Sequence, residues 1–217
     1  MPEMRKKTCD IVCRYGKQDY YIEVKTRFGR QGPGAYVLET GYNSSVNKIV
    51  EHAVKQLSEM PDGEGYYRLI WFIVHDDDES EFLLHSLVHT LYGVQRLCLE
   101  RGDLRVEVDC FFYVHCPMRK FPALDAVVIQ TRKGLVFCLN NFSAHHHQFR
   151  HSHMFTLNKR LDGVIDPVAL ERSGCCLLPD FTVPSKQVAH SILKKYGFHQ
   201  STRISTRTQV DSRVRRF

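Results

Sequence analysis

TCDIVCRYGKQDYYIEVKT, residues 8–26, contains two runs rich in β-branched and aromatic side chains, TCDIVCRY and DYYIEVKT, separated by a turn at Gly16-Lys17-Gln18. Such residues suit the pleated, half-buried surface of a strand, and the glycine supplies a reversal, so the stretch predicts a β-hairpin. An antiparallel hairpin lays the start of its first strand beside the end of its second. Asp10 therefore comes beside Glu23 and Lys25, and those two, spaced by two positions, leave their strand on one face. Two carboxylates and an amine can meet on a single local unit.

Working outward, FGRQGPGAY (28–36) holds Gly29, Gly32, Pro33 and Gly34, which exclude regular structure and place a flexible loop near the hairpin. From Asn43 to Met60, Val46, Ile49, Val50, Ala53, Val54 and Leu57 recur at three and four, predicting an amphipathic helix capped by Asn43 or Ser44. PDGEG ends it. RLIWFIVH (68–75) then reads as a strand buried on both faces. The acidic run Asp76–Glu81 leads into a second expected helix, Ser80–Glu100, whose N-terminus those acids suit. LRVEVDCFFYVH (104–115) predicts another strand, and ALDAVVIQT with GLVFCLNNF a second hairpin about Arg132-Lys133-Gly134.

Strands alternating with helices indicate an α/β fold, a mixed central sheet flanked by helices. The expected core is 1–142. Beyond it the pattern weakens into an irregular, histidine-rich and basic extension, 143–217, free to pack on the core. Within it, 161–184 reads as loop with breaks at Gly163, Pro167, Gly174 and Pro179, SKQVAHSILKKYG as a short helix ending at Gly197, and STRISTRTQVDSRVRRF as a mobile basic tail.

The 217 residues suffice for one large domain or a core with an appended region, and 43% hydrophobic with 25% charged residues is ordinary for a soluble globular protein. The longest apolar run, Leu69–Val74, is far short of a membrane span, and MPEMRKKTCD lacks the apolar centre of a secretory signal. A cytoplasmic location is the default expectation. The eight cysteines show no repeating interval and read as reduced, mostly buried thiols. A formal charge of +6 with twelve histidines suits a polyanionic partner without identifying nucleic acid.

Two carboxylates, Asp10 and Glu23, with the Val24 carbonyl as a further ligand, suit a hard divalent ion such as Mg²⁺, with Mn²⁺ as substitute. Lys25 would orient or help deprotonate an attacking water. The plain alternative for an E-x-K triplet is a solvated face with a cross-strand salt bridge.

With Asp10, Glu23 and Lys25 in this order, followed by the helix NKIVEHAVKQL and the strand RLIWFIVH, the chain resembles the PD-(D/E)XK nuclease superfamily over roughly residues 8–75. The resemblance implies a restriction endonuclease-like core and metal-dependent hydrolysis of phosphodiester bonds, in DNA first of all, with prokaryotic defence or DNA repair as cellular settings. It implies Asp10, Glu23 and Lys25 as catalytic residues, Asp10, Glu23 and Val24 as metal ligands, and Gln56, beside Lys55, as an accessory polar residue. Cys9 stands where the nominal motif has proline. The family core usually opens with a helix and a strand that the nine residues before Asp10 do not supply, Glu3 being too near the end to replace an acid from that helix. Hence the expectation that the sequence is a shortened piece or that another segment or a partner subunit completes the sheet; a homodimer is the separate expectation for a single site that must cut two strands. The competing reading is a nucleic-acid-binding or assembly subunit that keeps the fold without turnover.

Other groups carry weaker chemistry. His145, His146, His147, His151 and His153 with Cys138 are chemically suited to zinc, but no paired spacing stands out; a surface loop touching phosphates, with Arg150 and Lys159 nearby, is the better reading, and an ordinary exposed loop is the simplest. Cys175-Cys176 lacks the spacing of a nucleophile pair and reads as buried thiols. Asp76, Asp77 and Asp78 are explained by a helix N-terminus. Arg203, Arg207, Arg213, Arg215 and Arg216 suit either a nucleic-acid backbone or a solvated tail.

Overall fold

The computed structural model describes residues 9–27, 36–39, 43–74, 80–158, 163–204 and 207–210. The hairpin forms as expected: β1 (Ile11–Tyr15) runs antiparallel to β2 (Gln18–Arg27), turning at Gly16 with φ +63°. β3 (Tyr36–Glu39) comes next. The Asn43 side chain accepts from the amides of Ser45 and Val46 and so starts α1 (Ser44–Leu57), which buries Val46, Val50, Ala53, Val54 and Leu57. β4 (Tyr66–Val74) then lies parallel to β2, with Glu23 opposite Ile70 and Lys25 opposite Phe72.

α2 (Ser80–Tyr92) is shorter than the helix expected to reach Glu100. Its apolar period continues to Leu97, but Gly93 takes φ +58°, and a Cβ there would collide with the Val114 carbonyl oxygen. The Val94 amide donates back to the His89 carbonyl, the closure of a glycine-terminated helix. The chain continues as strand instead. β5 (Gln95–Arg101) and β6 (Leu104–Cys110) form an antiparallel hairpin outside the central sheet, and the strand expected to run to His115 stops at Cys110.

α3 (Pro117–Lys120) returns the chain to β7 (Ala126–Thr131), parallel to β4, and β8 (Gly134–Leu139) completes the expected second hairpin. The histidine-rich segment is not a loop: it forms α4 (His146–Arg150) and α5 (His153–Asn158). The stretch expected to be loop contains β9 (Gly163–Ile165) and α6 (Pro167–Arg172), the latter capped by Asp166. α7 (Val188–Tyr196) ends at left-handed Gly197, as expected. Part of the supposed mobile tail pairs as strand: β10 (Gln200–Arg203) with β5, and β11 (Arg207–Val210) with β3.

The protein is thus a mixed α/β fold whose central sheet, in the order β1-β2-β4-β7-β8-β9, is flanked by helices. On one face α1 and α2 cover Tyr21, Ile70, Phe72, Val127 and Ile129. On the other, Phe149 of α4 and Phe155 of α5 cover Tyr20, Ile22, Leu69, Val128 and Phe137. β4 and β7 therefore read as continuous apolar runs because both of their faces are covered. A third cluster joins Leu97, Leu99 and Cys110 to Val188 and Ile192, seating α7 on the sheet β10-β5-β6. No described helix is long and apolar enough to cross a membrane.

Candidate active site

Tyr21, Glu23 and Lys25 alternate along β2 on the face covered by α1. Asp10 occupies the bend just before β1, and extending the Ile11–Ile22 register by one step sets it opposite Glu23. Past the end of β1 the Val24 amide has no strand partner on that side, and the Asp10 side chain takes it: Oδ2 accepts from Val24 N at 2.7 Å. The N–H and C=O of a strand residue point toward the same neighbour, so the Val24 carbonyl also lies on the Asp10 side. The three expected catalytic residues are brought together by one hairpin, with Lys25 two positions before the carboxyl end of β2.

Their environments differ. Asp10 is exposed, whereas Glu23 is only 1% exposed. Lys25 donates from Nζ to Glu23 Oε1 at 2.5 Å, and its side chain remains 23% exposed. Glu23 Oε2 is buried and has no hydrogen-bond partner. A solvated salt bridge on a strand face would have both oxygens in water; this carboxylate is inside, with one oxygen held and the other orphaned. Such an atom is costly unless a water or an ion completes it. Burial pushes the thiol of Cys9 up, and the charges of Glu23 and Asp10 add to the rise.

α1 packs against β2 and β4. On it Lys55 is exposed, while Gln56 is half-buried with its Oε1 buried and unpartnered. Asp10, Glu23 and the Val24 carbonyl are hard oxygen donors on adjacent strands, the chemical kind that a divalent cation takes, and Glu23 Oε2 is the one left without a partner. No group of three or more His, Cys, Asp or Glu side chains among the described residues is placed to hold a metal. The glycine-rich stretch 28–35, the acids Asp76, Asp77 and Asp78, Lys159, and the arginines at 213, 215 and 216 lie outside the described residues, as does the side chain of Arg207.

The histidine–zinc grouping does not assemble. Cys138 lies in the cluster beneath α1 and α2, whereas α4 packs on the opposite face. Burial pushes Cys138 up to about 12. His146 Nδ1 donates to the Ser143 carbonyl, 2.8 Å away, and His153 packs on the Tyr15 ring at the β1–β2 turn, the far end of the hairpin from Asp10. Arg150 is engaged by Asp166 at 2.7 Å and by the His146 carbonyl. All eight cysteines are free; Cys175 is exposed, while Cys176 is buried and pushed up to about 12 by burial, which makes it a poor nucleophile.

A second charged cluster was not legible in the sequence. Asp125, also 1% exposed, accepts from Ser143 Oγ at 2.5 Å and from the Arg68 amide at 2.8 Å. His145 sits between Asp125 and Asp62, at 3.6 and 3.8 Å, and Asp62 lies 3.6 Å from the Arg68 guanidinium. Burial raises the Asp125 carboxyl, against the opposing bonds from Ser143 and Arg68. Ser143 donates to the carboxylate and not to His145, so the group ties the starts of β4 and β7 to the segment leading into α4 and does not activate a nucleophile.

No family model matches the chain, and neither a curated protein nor a solved structure matches it.

Proposed function

We propose that this chain is a divalent-metal-dependent nuclease with a restriction endonuclease-like core, hydrolysing phosphodiester bonds in DNA. The observation that carries the reading is Glu23: a buried carboxylate with one oxygen on Lys25 and the other orphaned, beside Asp10 on the neighbouring strand. The succession of hairpin, α1 and parallel β4 supports the core assignment.

Asp10, Glu23 and the Val24 carbonyl would hold Mg²⁺ or Mn²⁺. Bound there, the ion supplies charge stabilisation for the phosphate and lowers the pKa of a coordinated water. Lys25, already hydrogen-bonded to Glu23 and reaching solvent, orients the attacking water and offsets charge as it develops. Asp10 holds the Val24 amide and so fixes the backbone that presents the carbonyl. Burial of Glu23 keeps its carboxylate in one place, as a metal ligand requires.

The second reading, a non-catalytic nucleic-acid-binding or assembly subunit completed by a partner, draws on one feature. β1 is the outer strand of the central sheet and exposes Ile11 by 46%, Val12 by 58% and Tyr15 by 54%, an edge suited to further pairing. Supercoiled plasmid incubated with the purified chain and Mg²⁺ or Mn²⁺ separates the two. Nicking or linearisation that is lost in Lys25→Ala, Glu23→Ala and EDTA supports the nuclease; an inert wild type favours the partner-dependent subunit, and undiminished cleavage by the variants removes these residues from the reaction.

A further inference from the structure

Away from β2, α6, residues 178–183 and α7 line an open-sided cavity of about 720 Å³. That volume falls in the range of small-molecule sites, roughly 300–1,000 Å³. Its wall is largely apolar, with Val168, Leu178 and Val183 among the lining residues.

The acids of the lining are already engaged. Glu171 accepts from Lys195 Nζ at 2.6 Å and from the Tyr196 hydroxyl. Burial alone would raise this carboxyl, but the bonds from Lys195 and Tyr196 outweigh it and hold it below its ordinary value. Asp180 accepts from the Thr182 amide at 2.9 Å and the Thr182 hydroxyl at 2.7 Å. The side chains of His190 and Lys194 are not engaged in the same way. His190 and Lys194 stand one helical turn apart on α7, both line the cavity, both are exposed, and neither makes a hydrogen bond or ion pair among the described residues. Lys194 contributes only a through-space effect that helps lower Asp180. A partly apolar, open-sided cavity thus has Lys194 and His190 at its wall with unbonded side chains, while Glu171 is paired with Lys195 and Asp180 is bonded by Thr182.

We infer that this cavity binds a small amphipathic anion, its hydrocarbon body against Val168, Leu178 and Val183 and its carboxylate or sulfonate on Lys194 and His190. Charge selects the ligand class: a neutral or cationic amphiphile of equal size gains the same apolar burial but leaves Lys194 unpaired. The site is independent of the proposed nuclease centre.

The full chain is titrated with anilinonaphthalene sulfonate, followed by fluorescence, with decanoate and decylammonium as competitors. One saturable site is expected, displaced by decanoate and not by decylammonium. Lys194→Glu should weaken the probe at least about tenfold, the equivalent of one charge-assisted hydrogen bond, and Val183→Trp should weaken it by intruding on the apolar wall. Lys48→Glu, an exposed charge reversal on α1, should bind as wild type. Far-UV circular dichroism confirms that each variant is folded. A wild type that shows no saturable binding, equal displacement by decylammonium, or undiminished affinity in folded Lys194→Glu or Val183→Trp would overturn the assignment.

Discussion

Glu23 and Asp125 are both 1% exposed, and the fold treats them in opposite ways. Asp125 has each oxygen bonded, by Ser143 and by the Arg68 amide, and the result is a knot between chain segments. Glu23 has one oxygen bonded and one orphaned, and its cationic partner reaches water. A buried acid whose hydrogen-bonding capacity is filled from within contributes to folding. One left half-filled carries a cost that folding does not recover, and that makes it a candidate for binding.

The largest effect expected from this contrast is on turnover. Glu23→Gln should reduce plasmid cleavage by about a hundredfold or more, on the scale of removing one electrostatic stabiliser from an active site. Its urea midpoint should stay close to wild type, because the freed Lys25 can turn to solvent. Asp125→Ala reverses the pattern. It strands two buried donors and should lower unfolding stability by about 3 kcal/mol, read from urea denaturation, while Asp125→Asn, which keeps an acceptor, loses less. Cleavage by folded Asp125→Asn should remain near wild type. If Glu23→Gln unfolds the protein and Asp125→Asn abolishes cleavage, the two roles are exchanged.

Smaller shifts sharpen the same distinction. Millimolar Mg²⁺ should raise the melting temperature of wild type and not of Glu23→Gln, since a ligand at 100 times its Kd adds about 2.7 kcal/mol to the native state. Asp125→Asn should keep the Mg²⁺ response. The smallest effect concerns His89, which burial holds below its ordinary value of 6.5 against the opposing charge of Asp109, with His85 adding to the depression. Its folded form stays neutral where the unfolded chain is already protonated, so stability should fall as pH drops below about 6.5 until the folded form titrates too. His89→Gln should flatten that stretch of the melting profile and leave the Mg²⁺ response intact.

Much of the central sheet was readable because its signals are local. The β1–β2 hairpin, α1 with its Asn43 cap, β4 and the β7–β8 hairpin each lie within one short window, and the spacing of Asp10, Glu23 and Lys25 sufficed to bring them together. The β5–β6 hairpin escaped because Val94 and Leu97 extend the helical period of α2, and only the contact of Gly93 with Val114, distant in sequence, shows why the helix must stop. α4, α5 and α6 were hidden by shortness, being five or six residues each and held by tertiary contacts. The Asp125 knot was invisible for a related reason. Asp62, Arg68, Asp125, Ser143 and His145 come from separate segments, and no spacing announces them. Glu23 was placed correctly on its strand, but its burial and its orphaned oxygen depend on how α1 seats on β2.

The parallel pairing of β4 with β7 also bears on how the chain reaches this fold. Leu69 meets Ala126 only after α2, β5, β6 and α3 have been looped out, the longest closure within the central sheet, so its two central strands join after the hairpins. The three hairpins close over a few residues each and should form early. Nascent or stressed molecules would then pass through a state in which the apolar edges of β4 and β7 stand open, and it is there, before the sheet is zipped, that competition between refolding and aggregation is decided.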